Sequence, residues 1–197
     1  MPTTINNISV IGAGAWGTAL AKHLAEKGLA VRLWAYEDTV VESIHIAHEN
    51  SVFLKGIALP LNLIATTSLV DAIQDSQGIL FAVPSHAARS VLRELAPNLT
   101  DARPLLCATK GIEEDSAKLM TQVMADELPI SVHRSLMVLS GPSFASELAL
   151  GRPTAVCLAG TDDALVRRFQ DALMTPTFRV YADRDVIGVQ LGGALKN

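Results

Sequence analysis

A doubly wound, mainly parallel α/β fold is predicted by three observations. Short apolar runs recur along the 197 residues, with amphipathic stretches between several of them. The runs are continuously apolar rather than alternating, as strands covered on both faces must be. The first run, Ile8-Ser9-Val10-Ile11, enters Gly12-Ala13-Gly14-Ala15-Trp16-Gly17 and then the alanine-rich segment 18–25. That succession of strand, glycine turn and helix is the context that turns a bare G-x-G-x-x-G into a Rossmann-type dinucleotide-binding signature.

Within the turn each glycine has its own reason. Gly12 permits the tight turn, Gly14 lacks the Cβ that would block a pyrophosphate, and Gly17 lets helix and strand pack closely. The unpaired N–H groups at the helix start face the anion. After the first strand at 8–11, strands are expected at 30–34, 63–65, 78–83, 104–108, 135–139, 155–159 and 178–181, and helices at 85–95 and 116–128. Residues 50–60 form the longest ambiguous connection. Segment 183–197 reads as a helix despite Gly188, Gly192 and Gly193, each costing about 1 kcal/mol relative to alanine in a helix interior. Those small residues let a backbone or ligand approach, and Lys196 projects near the same face as Gly192. The expected division is a dinucleotide-binding domain over 1–183 and, over 184–197, the first helix of a helical substrate-binding domain that is missing from this chain.

With 49% hydrophobic residues the chain can bury a full core, and its formal net charge of −4 supplies none of the basic field that drives binding to a nucleic-acid backbone. Any anion must therefore be held by local groups. No apolar run reaches the roughly 18 residues of a membrane span, and the first residues lack the pattern of a signal peptide, so a cytoplasmic location is expected. Cys107 and Cys157 lie in apolar strand-like runs and suit buried, reduced thiols. The five histidines have no spacing that suggests a metal or catalytic set, and His45 and His48 fit a solvated helix face; no metal is expected.

Ligands of open α/β sheets lie beyond the carboxyl ends of the strands, which singles out three strand exits. At Val83-Pro84-Ser85-His86 a strand ends in proline and a helix begins with Ser85 as its cap; it reads either as an ordinary strand exit or as cofactor lining. At Ala108-Thr109-Lys110-Gly111 a lysine reaches the end of a buried strand, either as a solvated loop residue or as a point charge for a substrate anion. At Ser140-Gly141-Pro142-Ser143 a strand leads to a helix whose amino end carries Ser140 and Ser143, as simple caps or as anion ligands. Trp34 is expected to pack at the end of the second strand, and Trp16 to flank a cofactor.

These motifs, in this order and together with Gly188-Val189-Gln190-Leu191-Gly192-Gly193-Ala194-Leu195-Lys196-Asn197, give a chain that resembles the bacterial NAD(P)-dependent glycerol-3-phosphate dehydrogenases from its first strand to its last residue. The resemblance implies hydride transfer between NAD(P) and the C2 carbon of sn-glycerol 3-phosphate or dihydroxyacetone phosphate, chiefly the reduction that supplies glycerol phosphate for phospholipids. It implies Lys196 as general base and Lys110 as a contact to substrate and cofactor. Gly141, Ser143 and Asn197 would touch substrate; Ala15, Trp16, Tyr36, Pro84 and Ala145, with Gly12, Gly14 and Gly17, would form the cofactor site. A lysine serves as base when burial or a neighbouring positive charge lowers its pKa toward neutrality, and Lys110 is the charge available.

NAD-specific folds usually place an acid at the end of the second strand to bond the ribose 2′-hydroxyl. Here Ala35 or Tyr36 fills that place, Glu37 comes slightly late, and no basic residue stands by Tyr36. Use of both NAD and NADP is expected, with NADPH moderately favoured. The family's helical second domain would supply further substrate groups and any homodimer interface, so this chain is expected to bind cofactor without necessarily turning over. Two alternatives remain: another β-hydroxyacid-type dehydrogenase, such as a 6-phosphogluconate or 3-hydroxyisobutyrate dehydrogenase relative, and a non-catalytic NAD(P)-binding sensor module.

Overall fold

A computed structural model describes residues 4–99 and 101–195. The apolar runs are strands: β1 (Asn7–Ile11), β2 (Ala30–Trp34), β3 (Leu63–Thr66), β4 (Ile79–Phe81), β5 (Leu105–Cys107), β6 (Leu136–Ser140), β7 (Thr154–Gly160) and β8 (Phe178–Asp183). Among the described residues they form one sheet in the order β3-β2-β1-β4-β5-β6-β7-β8. It is parallel from β3 to β6, antiparallel between β6 and β7, and parallel again between β7 and β8. The connection from β6 to β7 carries the five-residue helix α7 (Ala145–Ala149).

The remaining helices are α1 (Ala15–Glu26), α2 (Asp38–Ala47), α3 (Leu69–Ile73), α4 (Ser85–Leu95), α5 (Met120–Glu127), α6 (Ile130–His133), α8 (Asp163–Leu173) and α9 (Val186–Ala194), with a 3₁₀ turn at Ala96–Asn98. Alternation along the strands divides the interior into two cores. Ile8, Val10, Leu33, Leu80, Leu106 and Leu139 face the side covered by Leu20 and Leu24 of α1 and Phe169 of α8. Ile11, Trp34, Ile79, Phe81, Leu105 and Val138 face the side covered by Leu92 of α4 and Val123 of α5. The central strands β1, β4, β5 and β6 are thus apolar on both faces, which is why their runs read as continuous, whereas β8 at the sheet edge alternates, with Arg179 and Tyr181 exposed.

Several boundaries differ from expectation for identifiable reasons. The helix expected at 116–128 starts only at Met120, because Glu113 and Ser116 are engaged in side-chain bonds that hold the preceding residues in turns. Ser85 does not cap α4; Pro84 is the N-cap and no side chain caps that end. Segment 183–197 is helical over Val186–Ala194, since Asp183 ends β8 and Asp185 caps α9 by accepting from the Gly188 N–H at 2.8 Å. Cys107 is fully buried, which pushes its thiol up to about 12, whereas Cys157 is half-buried; neither is in a disulfide. Trp34 is buried at the end of β2, its Nε1 donating to the Thr67 carbonyl at 2.8 Å. Among the described residues no helix is long and apolar enough to cross a membrane, and no cluster of His, Cys, Asp and Glu could hold a metal.

Candidate functional site

The chain leaves β1 at Gly12 with φ +111°, and a Cβ there would lie 2.8 Å from the carbonyl carbon and oxygen of Ala82, just beyond β4. Gly12 is therefore required by the close approach of the β1 and β4 exits, the point where the order of strands reverses. Gly17 is buried behind the turn, where a Cβ would strike the Gly12 carbonyl. Gly14 differs: it is the N-cap of α1, with φ −63° and ψ 175°, and the space around its missing Cβ is open. The first turn of α1 carries no acid. An open glycine at an uncapped helix start, free of negative charge, fits a dinucleotide pyrophosphate.

Two cavities meet at this turn and share Gly14, Val83 and Pro84. One, about 430 Å³, runs past Gly12, Tyr36, Glu37, Phe53 and His86. Tyr36 is 79% exposed and stands edge-on to Trp34 with ring centroids 6.4 Å apart. The other, about 310 Å³, is lined by Ala15, Trp16, Thr109, Lys110, Ser143 and Ala145. A third hollow of about 570 Å³ lies between the β6 exit and α9, bordered by Ser140, Gly141, Cys157, Asp183, Gly192 and Gly193.

Lys110 joins these exits. Its Nζ lies 5.0 Å from the Trp16 ring centroid and donates to the carbonyls of Gly141 and Ser143, both at 3.3 Å, and to Ser143 Oγ at 3.2 Å. The half-buried ammonium is therefore held over an indole face by the loop after β6, rather than waving in solvent. Thr109 Oγ1 donates to the Val83 carbonyl at 2.7 Å and so ties the β5 exit to the β4 exit. Gly111, at φ +129°, turns the chain where a Cβ would meet Ser85 Oγ at 2.9 Å. Beyond it, Arg89 of α4 grips Glu113 with a two-pronged bond of 2.8 and 2.7 Å and also reaches Asp126 and Glu127 of α5. Arg89 and the Ser116 hydroxyl hold the Glu113 carboxyl down to about 2.

On the far side, Gly193 of α9 sits so close to Ser140 that a side chain there would strike the serine hydroxyl, which is buried and has no hydrogen-bond partner among the described residues. Gln190 fastens α9 to α5, accepting from the Thr121 N–H at 3.0 Å and donating to its hydroxyl at 2.9 Å. Of the small residues in α9, Gly193 makes the close backbone approach. A Cβ at Gly188 would meet Asp185, and Gly192 is open.

The expected cofactor residues Gly12, Gly14, Tyr36 and Pro84 line the larger cavity, and Gly14, Ala15, Trp16, Pro84, Lys110 and Ala145 line the smaller one. Gly17 supports the turn from behind. Of the expected substrate residues, Ser143 and Gly141 converge on Lys110. Lys196 and Asn197 lie outside the described residues. Sequence reasoning passed over Phe53, which lines the larger cavity, and Asn50, which reaches the glycine turn. Residues so remote from the turn leave no local signal.

The family described as NAD-dependent glycerol-3-phosphate dehydrogenase N-terminus matches residues 7–166. The NAD(P)+ glycerol-3-phosphate dehydrogenase of Geobacter sulfurreducens is 50% identical over 190 residues, covering 96% of this chain and 57% of that protein. The Koribacter versatilis protein of the same name is 44% identical over 194 residues, 98% of this chain and 58% of its own length. A crystal structure of glycerol-3-phosphate dehydrogenase from Coxiella burnetii, 36% identical, superposes with a TM-score of 0.89 over 98% of this chain and 57% of that one. The chain thus spans a little under three fifths of the length of these relatives, and it belongs to the NAD-dependent glycerol-3-phosphate dehydrogenase family, whose N-terminal region it matches.

Proposed function

We propose that this chain is the dinucleotide-binding part of an oxidoreductase that interconverts sn-glycerol 3-phosphate and dihydroxyacetone phosphate with NAD(H) or NADP(H). What supports the reading most is the placement of Lys110, held against Gly141, Ser143 and Trp16 at the smaller of the two cavities that meet at Gly14. When bound, the nicotinamide ring supplies the hydride donor or acceptor at its C4. The protein's part is to hold that carbon and substrate C2 in near-attack contact, about 3 to 3.5 Å apart.

In this reading Gly12, Gly14 and Gly17 shape the pyrophosphate seat, Tyr36 flanks the adenosine half, and Ala15, Trp16, Pro84 and Ala145 line the nicotinamide half. Lys110 and Ser143 meet the polar end of the substrate beside Gly141, and the fixed ammonium offsets negative charge on substrate oxygen. Lys196 exchanges the proton on the C2 oxygen and Asn197 contacts substrate, roles that rest on the resemblance of the 188–197 motif alone. Glu37 borders the larger cavity and opposes the extra charge of a 2′-phosphate, while Tyr36 takes the place of the usual acid, which supports use of both dinucleotides. Provision of glycerol phosphate for phospholipids, a cytoplasmic location, and dimerisation through the region that the relatives carry beyond this chain belong to the same proposal.

The test titrates this chain, and a version extended to the relatives' length, with NADPH and NADH, and assays both for NADPH oxidation with dihydroxyacetone phosphate. Binding by both and turnover by the longer protein are expected. Binding by the longer protein with no turnover would point instead to the sensor module.

A further inference from the structure

We infer that Asn50 is a positioning residue for the phosphate-facing peptide of the glycine turn, an inference that rests on the dinucleotide reading above. Asn50 is fully buried although it belongs to the turn-rich connection 50–60, and all of its side-chain polarity is directed at two places. Its Nδ2 donates to the Ala13 carbonyl at 2.8 Å and to Thr18 Oγ1 at 2.8 Å. Its Oδ1 accepts from the Phe53 N–H at 3.0 Å. Thr18 is itself fully buried, and its hydroxyl donates to the same Ala13 carbonyl at 3.0 Å.

The Ala13 carbonyl is therefore held by two donors from behind the turn. A trans peptide points its C=O and the following N–H in opposite directions, and no cis peptide occurs among the described residues. Anchoring the Ala13 oxygen toward Asn50 thus aims the Gly14 N–H the other way, at the open space where Gly14 borders both cavities. With no Cβ, Gly14 has little of its own to oppose rotation of this peptide plane. Without Asn50 and Thr18 the plane would sample orientations in which the donor no longer faces the phosphate, and binding would carry the cost of ordering it. Through Phe53 the same side chain also seats a wall of the larger cavity, so one buried amide registers the turn against the segment that borders the adenosine half.

The experiment measures dissociation constants for NADPH and for ADP-ribose on the 197-residue chain and on Asn50→Ala, Thr18→Val and Thr18→Ser, with thermal unfolding followed on each. ADP-ribose keeps the pyrophosphate and lacks nicotinamide. Asn50→Ala and Thr18→Val are expected to weaken both ligands by about tenfold and by the same factor, and Thr18→Ser, which keeps the hydroxyl, to stay within about twofold of the parent. A purely structural role would lower the melting temperature and leave the dissociation constants of the folded proteins where they were, and that result overturns the inference. If Asn50→Ala fails to fold, the comparison of Thr18→Val with Thr18→Ser decides. Should the parent chain bind neither ligand, the dinucleotide reading has failed and this inference with it; a parent that binds and variants that bind equally overturn the positioning role alone.

Discussion

The three glycines of the turn separate fold from function when each is replaced by alanine. At Gly12 the φ of +111° strains any L side chain by about 1–3 kcal/mol. The added Cβ would also sit 2.8 Å from the Ala82 carbonyl, so β1 and β4 must move apart. A combined loss of about 3 kcal/mol lowers the melting temperature of a chain this size by about 6–12 °C. At Gly17 the Cβ collides with the Gly12 carbonyl, and a loss at least as large is expected. Gly14 has ordinary φ and ψ and open space at its Cβ position. Alanine there is a poorer N-cap than glycine but restricts the unfolded chain, and the two effects cancel to within about 1 kcal/mol. The same methyl would intrude where the phosphates come to rest, and a loss of at least tenfold in NADPH affinity, about 1.4 kcal/mol, is expected. Circular dichroism melting and a fluorescence titration measure the two quantities on the same samples. Gly14→Ala binding NADPH like the parent, or melting as low as Gly12→Ala, would refute the assignment of separate roles.

Other substitutions probe the charged groups. Lys110→Met in a version extended to the relatives' length is expected to raise KM for dihydroxyacetone phosphate and lower turnover at least tenfold while costing under about 2 kcal/mol of stability, because its hydrogen bonds end on a loop rather than in a core; unchanged steady-state kinetics would remove it from the site. Lys196→Ala in the same protein should leave dinucleotide affinity intact and abolish most turnover, and undiminished turnover would sink its role as base. Glu37→Gln removes a carboxylate from the larger cavity, so the ratio of NADPH to NADH affinity should rise by about fivefold, the size of a solvent-screened repulsion of about 1 kcal/mol; paired titrations with no change in that ratio would exclude Glu37 from cofactor choice. Glu113, held down to about 2 from 4.5 first by Arg89 and then by Ser116, contributes stability that is complete above pH 4.5 and lost as the pH falls through about 2. Glu113→Gln should therefore melt lower than the parent at pH 6 and show a flatter acid limb between pH 4.5 and 2, which melting curves across that range would reveal or deny.

Much of the fold was legible because it is written in neighbouring residues. A strand buried on both faces carries its apolarity in four or five consecutive positions, and the glycine turn lies within six. What escaped depends on residues that meet only after the sheet has formed. Asn50 finds the Ala13 carbonyl 37 positions earlier, and Arg89 finds Glu113 24 positions later, so neither shows any short-range pattern. The helix expected from 116 illustrates the same limit: its propensity is real, but the Arg89 network captures Glu113, with Ser116 bonded to it, and the helix begins four residues later, at Met120.

Lys110 shows what such long-range contacts add to a site that sequence had half identified. A lysine after a buried strand is more often a solvated loop cation than an anion ligand, and the choice depends on what faces it across the cleft. The loop after β6 brings two carbonyls and a hydroxyl to its Nζ, and α1 brings the Trp16 ring beneath it. Ordering a lysine side chain costs up to about 2 kcal/mol, and in this arrangement that cost is met during folding rather than during ligand binding. An arriving anion then meets a charge already in position, with Ser143 as a neighbouring donor. A solvated loop lysine would have to be immobilised by the ligand itself, and the same ionic contact would bind correspondingly more weakly.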